Sequence, residues 1–314
     1  MHAIVTSLAL THPVHENHSR DLKVIGRSYS ALVRRQTPGS ELQLLVDGNK
    51  IFRDTDPALL KKLTDEGQSP PFMFLGCSDS RVSEGTVFNA KPGTLFTQRN
   101  IANQFSRNDP NAESVLAYAV SELGVQHVIV MGHYGCGGVA AAIASRPSSN
   151  IDAASGVIQN WIEPIRELFQ SSTRPEIVEL RERINGTSNV EEPEVQEPGF
   201  RALVEENIKA TVGRISQDSV ITNHFALLGA SVPKEKRAEH PLVNVFIHGW
   251  VYDIENGEIK DLNISVGPPG VAIPEVPFAK VAAAVDKTGP LGTPEVRCAE
   301  MCKSRMSKRS FVST

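Results

Sequence analysis

Val125-Gln126-His127-Val128-Ile129-Val130-Met131, followed at once by Gly132-His133-Tyr134-Gly135-Cys136-Gly137-Gly138, is the stretch whose reading decides the fold. Its first half is dominated by β-branched and other apolar side chains and predicts a strand buried in a sheet. His133 then caps the C-terminal end of that strand, and Cys136-Gly137-Gly138 opens a helix expected to reach about Ala144. Ligand-bearing residues projecting from a strand end match the rule that open parallel α/β sheets bind at their C-terminal edge.

Working outward, Pro70-Pro71 stops a helix and Phe72-Met73-Phe74-Leu75-Gly76-Cys77 reads as a second buried strand, with Cys77 at its C-terminal end. Thr94–Thr97 follows the turn Lys91-Pro92-Gly93 as a third and leads into Arg99-Asn100-Ile101-Ala102-Asn103, with 111–123 helical. Leu242–Tyr252 is a later strand. The Asn256-Gly257 hairpin signal folds Ile259–Ile264 back as an antiparallel edge. Helices are expected over Leu42–Phe52 and Pro57–Leu63, packed on the sheet, with Asp56-Pro57 as cap and first-turn proline. Two longer charged stretches, 155–185 and 200–228, are also helical, joined by the acidic proline-bearing loop Glu191–Pro198.

The expected organisation is an arm or targeting extension over 1–40, ending in the breaker cluster Thr37-Pro38-Gly39-Ser40, then a single domain over 41–270. A flexible tail over 271–314, which carries Cys298 and Cys302, completes it. The chain has 314 residues and a net charge of −4, with no basic face to bind nucleic acid. No apolar run reaches the roughly 18–20 residues that span a bilayer, so no membrane partner is expected. Four cysteines make no disulfide framework, which fits a reducing, cytoplasmic setting. Arg20, Lys23, Arg27, Arg34 and Arg35 among serines resemble a mitochondrial presequence, making the matrix the alternative, although Glu16 and Asp21 weigh against it.

Taken singly, a thiol is usually a small buried hydrophobe and a histidine a hydrogen-bonded core residue. Together, Cys77, His133 and Cys136 have metal-ligand chemistry, a compact His-x-x-Cys spacing and a shared sheet edge. Zn²⁺ prefers tetrahedral sulfur and nitrogen coordination, and three protein ligands leave the fourth position for water or substrate. Gly137 and Gly138 let backbone N–H groups approach an oxygen-rich ligand closely.

Cys77-x-Asp79-x-Arg81, Arg99-Asn100-x-Ala102-Asn103 and His133-x-x-Cys136-Gly137-Gly138, in that order, resemble the β-class carbonic anhydrases. The likeness covers about residues 42–267 and includes Gly249-Trp250-x-Tyr252-Asp253. It implies an α/β fold with a central mostly parallel sheet, flanking helices, and a homodimer or higher assembly in which a neighbouring subunit helps wall each site. It further implies one Zn²⁺ per subunit on Cys77, His133 and Cys136, with Asp79 and Arg81 as the catalytic pair. Gln68 matches the oxygen-binding glutamine of the water-open, fungal-like subgroup. Phe96, Ile101 and Tyr118 match its apolar substrate wall, and Gly137 its backbone donor. Phe52 and Gly213 stand where a bicarbonate-regulated subgroup carries tryptophan and tyrosine, which argues against that regulation.

The reaction so implied is reversible hydration of carbon dioxide to bicarbonate and a proton by zinc-bound hydroxide. Zinc lowers the pKa of bound water from about 15.7 to about 7 in the three-histidine carbonic anhydrase, a value not transferable unchanged to a site with two thiolates. Asp79 would orient the nucleophile, and Arg81, whose planar fork suits a carboxylate, would keep Asp79 ionised and turned from the metal. Competing readings are a carbonyl sulfide or carbon disulfide hydrolase on the same fold and a noncatalytic bicarbonate- or zinc-binding module. A cysteine-nucleophile enzyme fits less well, since Cys77 and Arg81 are closer together than in phosphatase-type loops.

Overall fold

The computed structural model describes residues 38–147, 152–230 and 242–281. The arm through residue 37, with its presequence-like segment, and Cys298 and Cys302 lie outside the described residues. The chain divides between Glu66 and Gly67 into two compact units.

The first unit contains α1 (Pro38–Thr55) and α2 (Pro57–Glu66). Pro38 and Gly39 open α1 instead of breaking the chain, because a proline without an N–H is tolerated in the first helical turn. The predicted cap of α2 is present: the Leu59 N–H donates to Asp56 Oδ1 at 3.0 Å. Among the described residues of this unit the apolar side chains find no cover. Leu42, Leu44, Leu45, Val46, Ile51 and Phe52 are all exposed, and α2 buries no residue.

The second unit is a six-stranded sheet in the order β2-β1-β3-β4-β5-β6. The strands are β1 (Phe72–Cys77), β2 (Leu95–Asn100), β3 (His127–His133), β4 (Phe246–Tyr252), β5 (Ile259–Asp261) and β6 (Ala279–Lys280). Every pairing is parallel except β4 with β5, the hairpin announced by Asn256-Gly257. β1 and β3 are central and buried along nearly their whole length, as continuous apolar runs require. Part of the expected tail belongs to the sheet: β6 pairs with β5, and the Phe278 ring meets Trp250 edge-on at 4.9 Å.

The helices are α3 (Glu84–Val87), α4 (Pro110–Ala117), α5 (Gly137–Ile143), α6 (Ala153–Ser171), α7 (Pro175–Ile184), α8 (Pro198–Ser216) and α9 (Ser219–Gly229). Aspartates cap three of them, with Asp109, Asp152 and Asp218 accepting backbone N–H bonds at the starts of α4, α6 and α9. α8 is buried on most sides, through Phe200, Leu203, Ile208, Val212 and Ile215 among others, so its sequence lacks a sharp apolar stripe. It packs against β3 and β4, directly beneath the His133 strand end. Among the described residues no helix is long and apolar enough to cross a membrane.

At the opposite end of the strands, His127 Nδ1 and His248 Nε2 share a hydrogen bond of 2.9 Å, and His248 Nδ1 shares another of 2.9 Å with Ser265 Oγ. Burial, aided by His127, pulls His248 down from the ordinary 6.5 to about 4. A base with a depressed folded pKa takes its proton first when unfolded, so stability is complete above pH 6.5 and falls as pH drops toward 4. This residue should remove about 2 kcal/mol of stability between pH 7 and pH 5. Urea denaturation of His248→Asn should show a pH dependence flatter by that amount, and an unchanged slope contradicts the assignment.

Candidate metal centre

Three segments converge at the C-terminal edge of the sheet. β1 ends in Cys77, β3 ends in His133, and the turn after β3 delivers Cys136, the residue preceding α5. The β1–β3 register, Gly76 opposite Met131, brings the two strand ends side by side. All three residues are buried, with His133 fully so. One ligand atom from each lies within 4.8 Å of the others, and this is the metal-competent group found among the described residues.

The local bonding fits a metal. The His133 Nδ1–H donates to the Tyr134 carbonyl at 3.0 Å, which fixes the tautomer and leaves Nε2 with a free lone pair. That Nε2 is buried and makes no hydrogen bond in the protein. Cys77 Sγ and Cys136 Sγ are 3.9 Å apart and not bridged. Two Zn–S bonds of about 2.3 Å at a tetrahedral angle give a sulfur separation of about 3.8 Å. The contact with Cys136, against the opposing pull of burial and helped by His133, draws the Cys77 thiol down to about 4. The same contact, with burial, pushes Cys136 up.

Asp79 Oδ2 stands 3.7 Å from His133 Nε2. Arg81 grips the carboxylate with both arms of its fork, Nε to Oδ1 at 2.9 Å and Nη2 to Oδ2 at 2.6 Å, and its backbone N–H donates to Oδ1 at 2.9 Å. Burial alone would raise the Asp79 pKa, but the Arg81 hydrogen bonds outweigh it and the net shift is downward. Arg81 Nη2 also donates to the Gly135 carbonyl at 3.2 Å, tying the β1 loop to the β3 turn.

Arg99, which the sequence reading quoted only within a motif, donates to the Cys77 carbonyl at 2.9 Å and the Asp79 carbonyl at 2.6 Å. It therefore holds the backbone on both sides of Ser78. Ile101, half exposed, sits in the short turn Ile101–Asn103, where Ala102 and Asn103 adopt left-handed φ values of 60° and 46°. Such angles are costly for residues with a Cβ. Asn207 on α8 secures the turn by donating to the Ala102 carbonyl at 2.8 Å, and Trp161 on α6 donates to the Ile101 carbonyl at 2.8 Å. Gly137 is exposed at the start of α5, with open space where a side chain would be.

Gln68, Phe96 and Tyr118 are not brought to this edge within their own chain. Phe96 pairs with Met73, four residues before Cys77, hence about 13 Å back along the strand. Tyr118 stacks on Phe96 at 5.6 Å between centroids, at the first residue of a π-helical turn that follows α4, and is half exposed. Gln68 is exposed and precedes β1 altogether. A cavity of about 280 Å³, lined by Ile143, Arg166, Phe169, Arg181, Ile184 and Val190 among others, shares none of the metal group's residues. Its two arginines are already engaged: Arg166 donates to the Ala141, Ala142 and Ala144 carbonyls, and Arg181 to those of Phe169 and Ser172.

Comparison with known proteins agrees with this geometry. The family profile described as "Carbonic anhydrase" matches residues 72–259. A carbonic anhydrase of Emericella nidulans is 31% identical over 221 residues, 70% of this chain and 79% of the relative. Among solved structures, the Coccomyxa β-carbonic anhydrase in complex with acetazolamide superposes with a TM-score of 0.55 at 27% identity, covering 72% of this chain and 87% of that one. A structure from the report on two tetrameric β-carbonic anhydrases of Sordaria macrospora gives 0.55 at 25% identity, covering 72% and 99%.

The wall beside the metal group depends on one missing side chain. A Cβ on Gly138 would lie 2.7 Å from Ile101 Cγ2 and 3.4 Å from Ala102 Cβ. Gly138→Ala should destabilise by about 1–3 kcal/mol through overpacking. Ile101→Ala in the same chain should recover part of that in chemical denaturation, and strictly additive losses would show that the two residues do not compete for space.

Proposed function

Because the chain belongs to the β-carbonic anhydrase family, we propose that it catalyses the reversible hydration of carbon dioxide with Zn²⁺ held by Cys77, His133 and Cys136. The observation that carries this reading is the buried three-ligand group with a clamped carboxylate 3.7 Å from the ring nitrogen of His133. The bound ion would act as a Lewis acid that acidifies coordinated water toward neutral pH.

The side chains supply the rest. Asp79 accepts a hydrogen bond from the attacking water and so turns an oxygen lone pair toward the carbon of CO₂. Arg81 keeps that carboxylate ionised, and because both carboxylate oxygens are engaged by the fork, it also restrains Asp79 from taking a ligand position itself. The water oxygen bonds to carbon, one C–O π pair moves onto a substrate oxygen, and one proton leaves to solvent. The product is bicarbonate. The exposed Gly137 N–H at the start of α5 donates to an oxygen of substrate or product. Ile101 supplies an apolar wall that suits an uncharged linear molecule.

A homo-oligomer is part of this proposal. Gln68, Phe96 and Tyr118 stand at the far end of their own sheet, with Gln68 and Tyr118 exposed, where a second copy can receive them. The Sordaria macrospora relatives are described as tetrameric. In this arrangement each site takes its ligands, Asp79 and Arg81 from one subunit and its outer wall from another.

Asp79→Ala should retain about one zinc per chain by elemental analysis while losing at least about a hundredfold in stopped-flow CO₂ hydration. Near-normal turnover in that variant refutes the role given to Asp79. Co-assembling Asp79→Ala chains with Gln68→Ala chains tests the shared site. Activity should rise well above either parent, since one of the two mixed sites has both residues intact; no recovery means that Gln68 serves its own subunit.

A further inference from the structure

The hydrogen bond that sets the His133 ring ends on the carbonyl of Tyr134, so the ring is only as well placed as that peptide. Tyr134 is held from several sides. Its N–H donates to the Tyr252 carbonyl at 3.0 Å, and its buried hydroxyl donates to Glu205 Oε1 at 2.6 Å. The Arg201 guanidinium lies over its ring at 3.5 Å from the centroid and donates to Asp253 Oδ2 at 2.8 Å. Arg201 and Glu205 are one turn apart on α8, the helix beneath the β3 strand end. Glu205 is 8% exposed, and its other oxygen pairs with Arg174 at 2.6 Å.

The next residue carries the constraint onward. Gly135 has a left-handed φ of 72°, and its carbonyl is the one that accepts from Arg81. Tyr134 thus carries the carbonyl that orients His133 and is bonded to the residue whose carbonyl accepts from Arg81, the clamp on Asp79. A buried carboxylate–arginine pair is no cheap way to fill space, because desolvating both charges offsets much of their attraction. Packing alone would be served by a phenyl ring in place of Tyr134.

We propose that Tyr134 and Glu205 are positioning residues: their buried hydrogen bond anchors the His133–Cys136 turn to α8 and thereby sets how tightly the metal is retained and how the Arg81–Asp79 clamp is held. This rests on the zinc reading above. Neither side chain is assigned contact with substrate; both act through the turn's backbone.

Tyr134→Phe removes only the hydroxyl and keeps the ring under Arg201. The zinc-loaded variant, folded by circular dichroism at a temperature well below its unfolding, should release zinc to a chromophoric chelator about tenfold faster than wild type or more. Glu205→Gln, which still offers an acceptor, should fall between the two, and adding it to Tyr134→Phe should change the release rate little further. Wild-type release from Tyr134→Phe, with only a lowered Tm, overturns the proposal and leaves the zinc reading intact. A wild-type chain that holds no zinc overturns both.

Discussion

The site exists because β1 and β3 pair in parallel in one register. Cys77 and His133 are distant in sequence, and only the pairing that sets Gly76 against Met131 brings their strand ends to the same edge. Side chains alternate faces along a strand, so a slip of one residue would turn Cys77 away from His133 and reverse every buried side chain of β1 at once. The apolar character of Met73, Phe74 and Leu75, all fully buried, therefore secures the metal group as well as the core. Energy from packing is converted into the placement of two ligands.

Charge is the second constraint. Two thiols, an imidazole and a carboxylate are crowded at one edge, and the fold meets them with Arg81 on the Asp79 carboxylate and Arg99 on the backbone carbonyls of Cys77 and Asp79. Each guanidinium is a planar fork making several bonds at once, which a lysine could not reproduce. A divalent ion, as proposed, would complete the balance through the two sulfurs and the His133 Nε2, which makes no hydrogen bond in the protein. The left-handed turn at Ala102 and Asn103 then sets Ile101 as a wall, held by Trp161 and Asn207.

Much of this was legible in the sequence, for physical reasons that differ by element. Phe72–Cys77 was read correctly because a strand buried on both faces is an unbroken apolar run between prolines and polar residues. The Asn256-Gly257 turn announced its antiparallel pair. The Cys77, His133 and Cys136 group and the Asp79–Arg81 pair were visible because His133-x-x-Cys136 and Cys77-x-Asp79-x-Arg81 each place reactive residue types at short spacing after an apolar strand. Helices α1 and α2 were legible from their periodicity, yet the same periodicity does not say what covers the apolar face, and within their own unit Leu42, Leu45, Ile51 and Phe52 are exposed. Residues 276–281 looked like tail because a two-residue edge strand leaves almost no pattern. Phe96 lies about 13 Å back along the strands from the Cys77 end, and Gln68 and Tyr118 are not brought to that end either; a sequence motif records residue types and spacing, not distances in the fold. Glu205 gave no signal at all: on a charged helix an internal carboxylate looks like any solvated one.

Zinc K-edge X-ray absorption on the protein as purified tests the central claim most directly. The account predicts two sulfur scatterers at about 2.3 Å, one imidazole nitrogen at about 2.0–2.1 Å and one further light ligand. A first shell without sulfur, or a chain that carries no zinc while hydrating carbon dioxide, would contradict it.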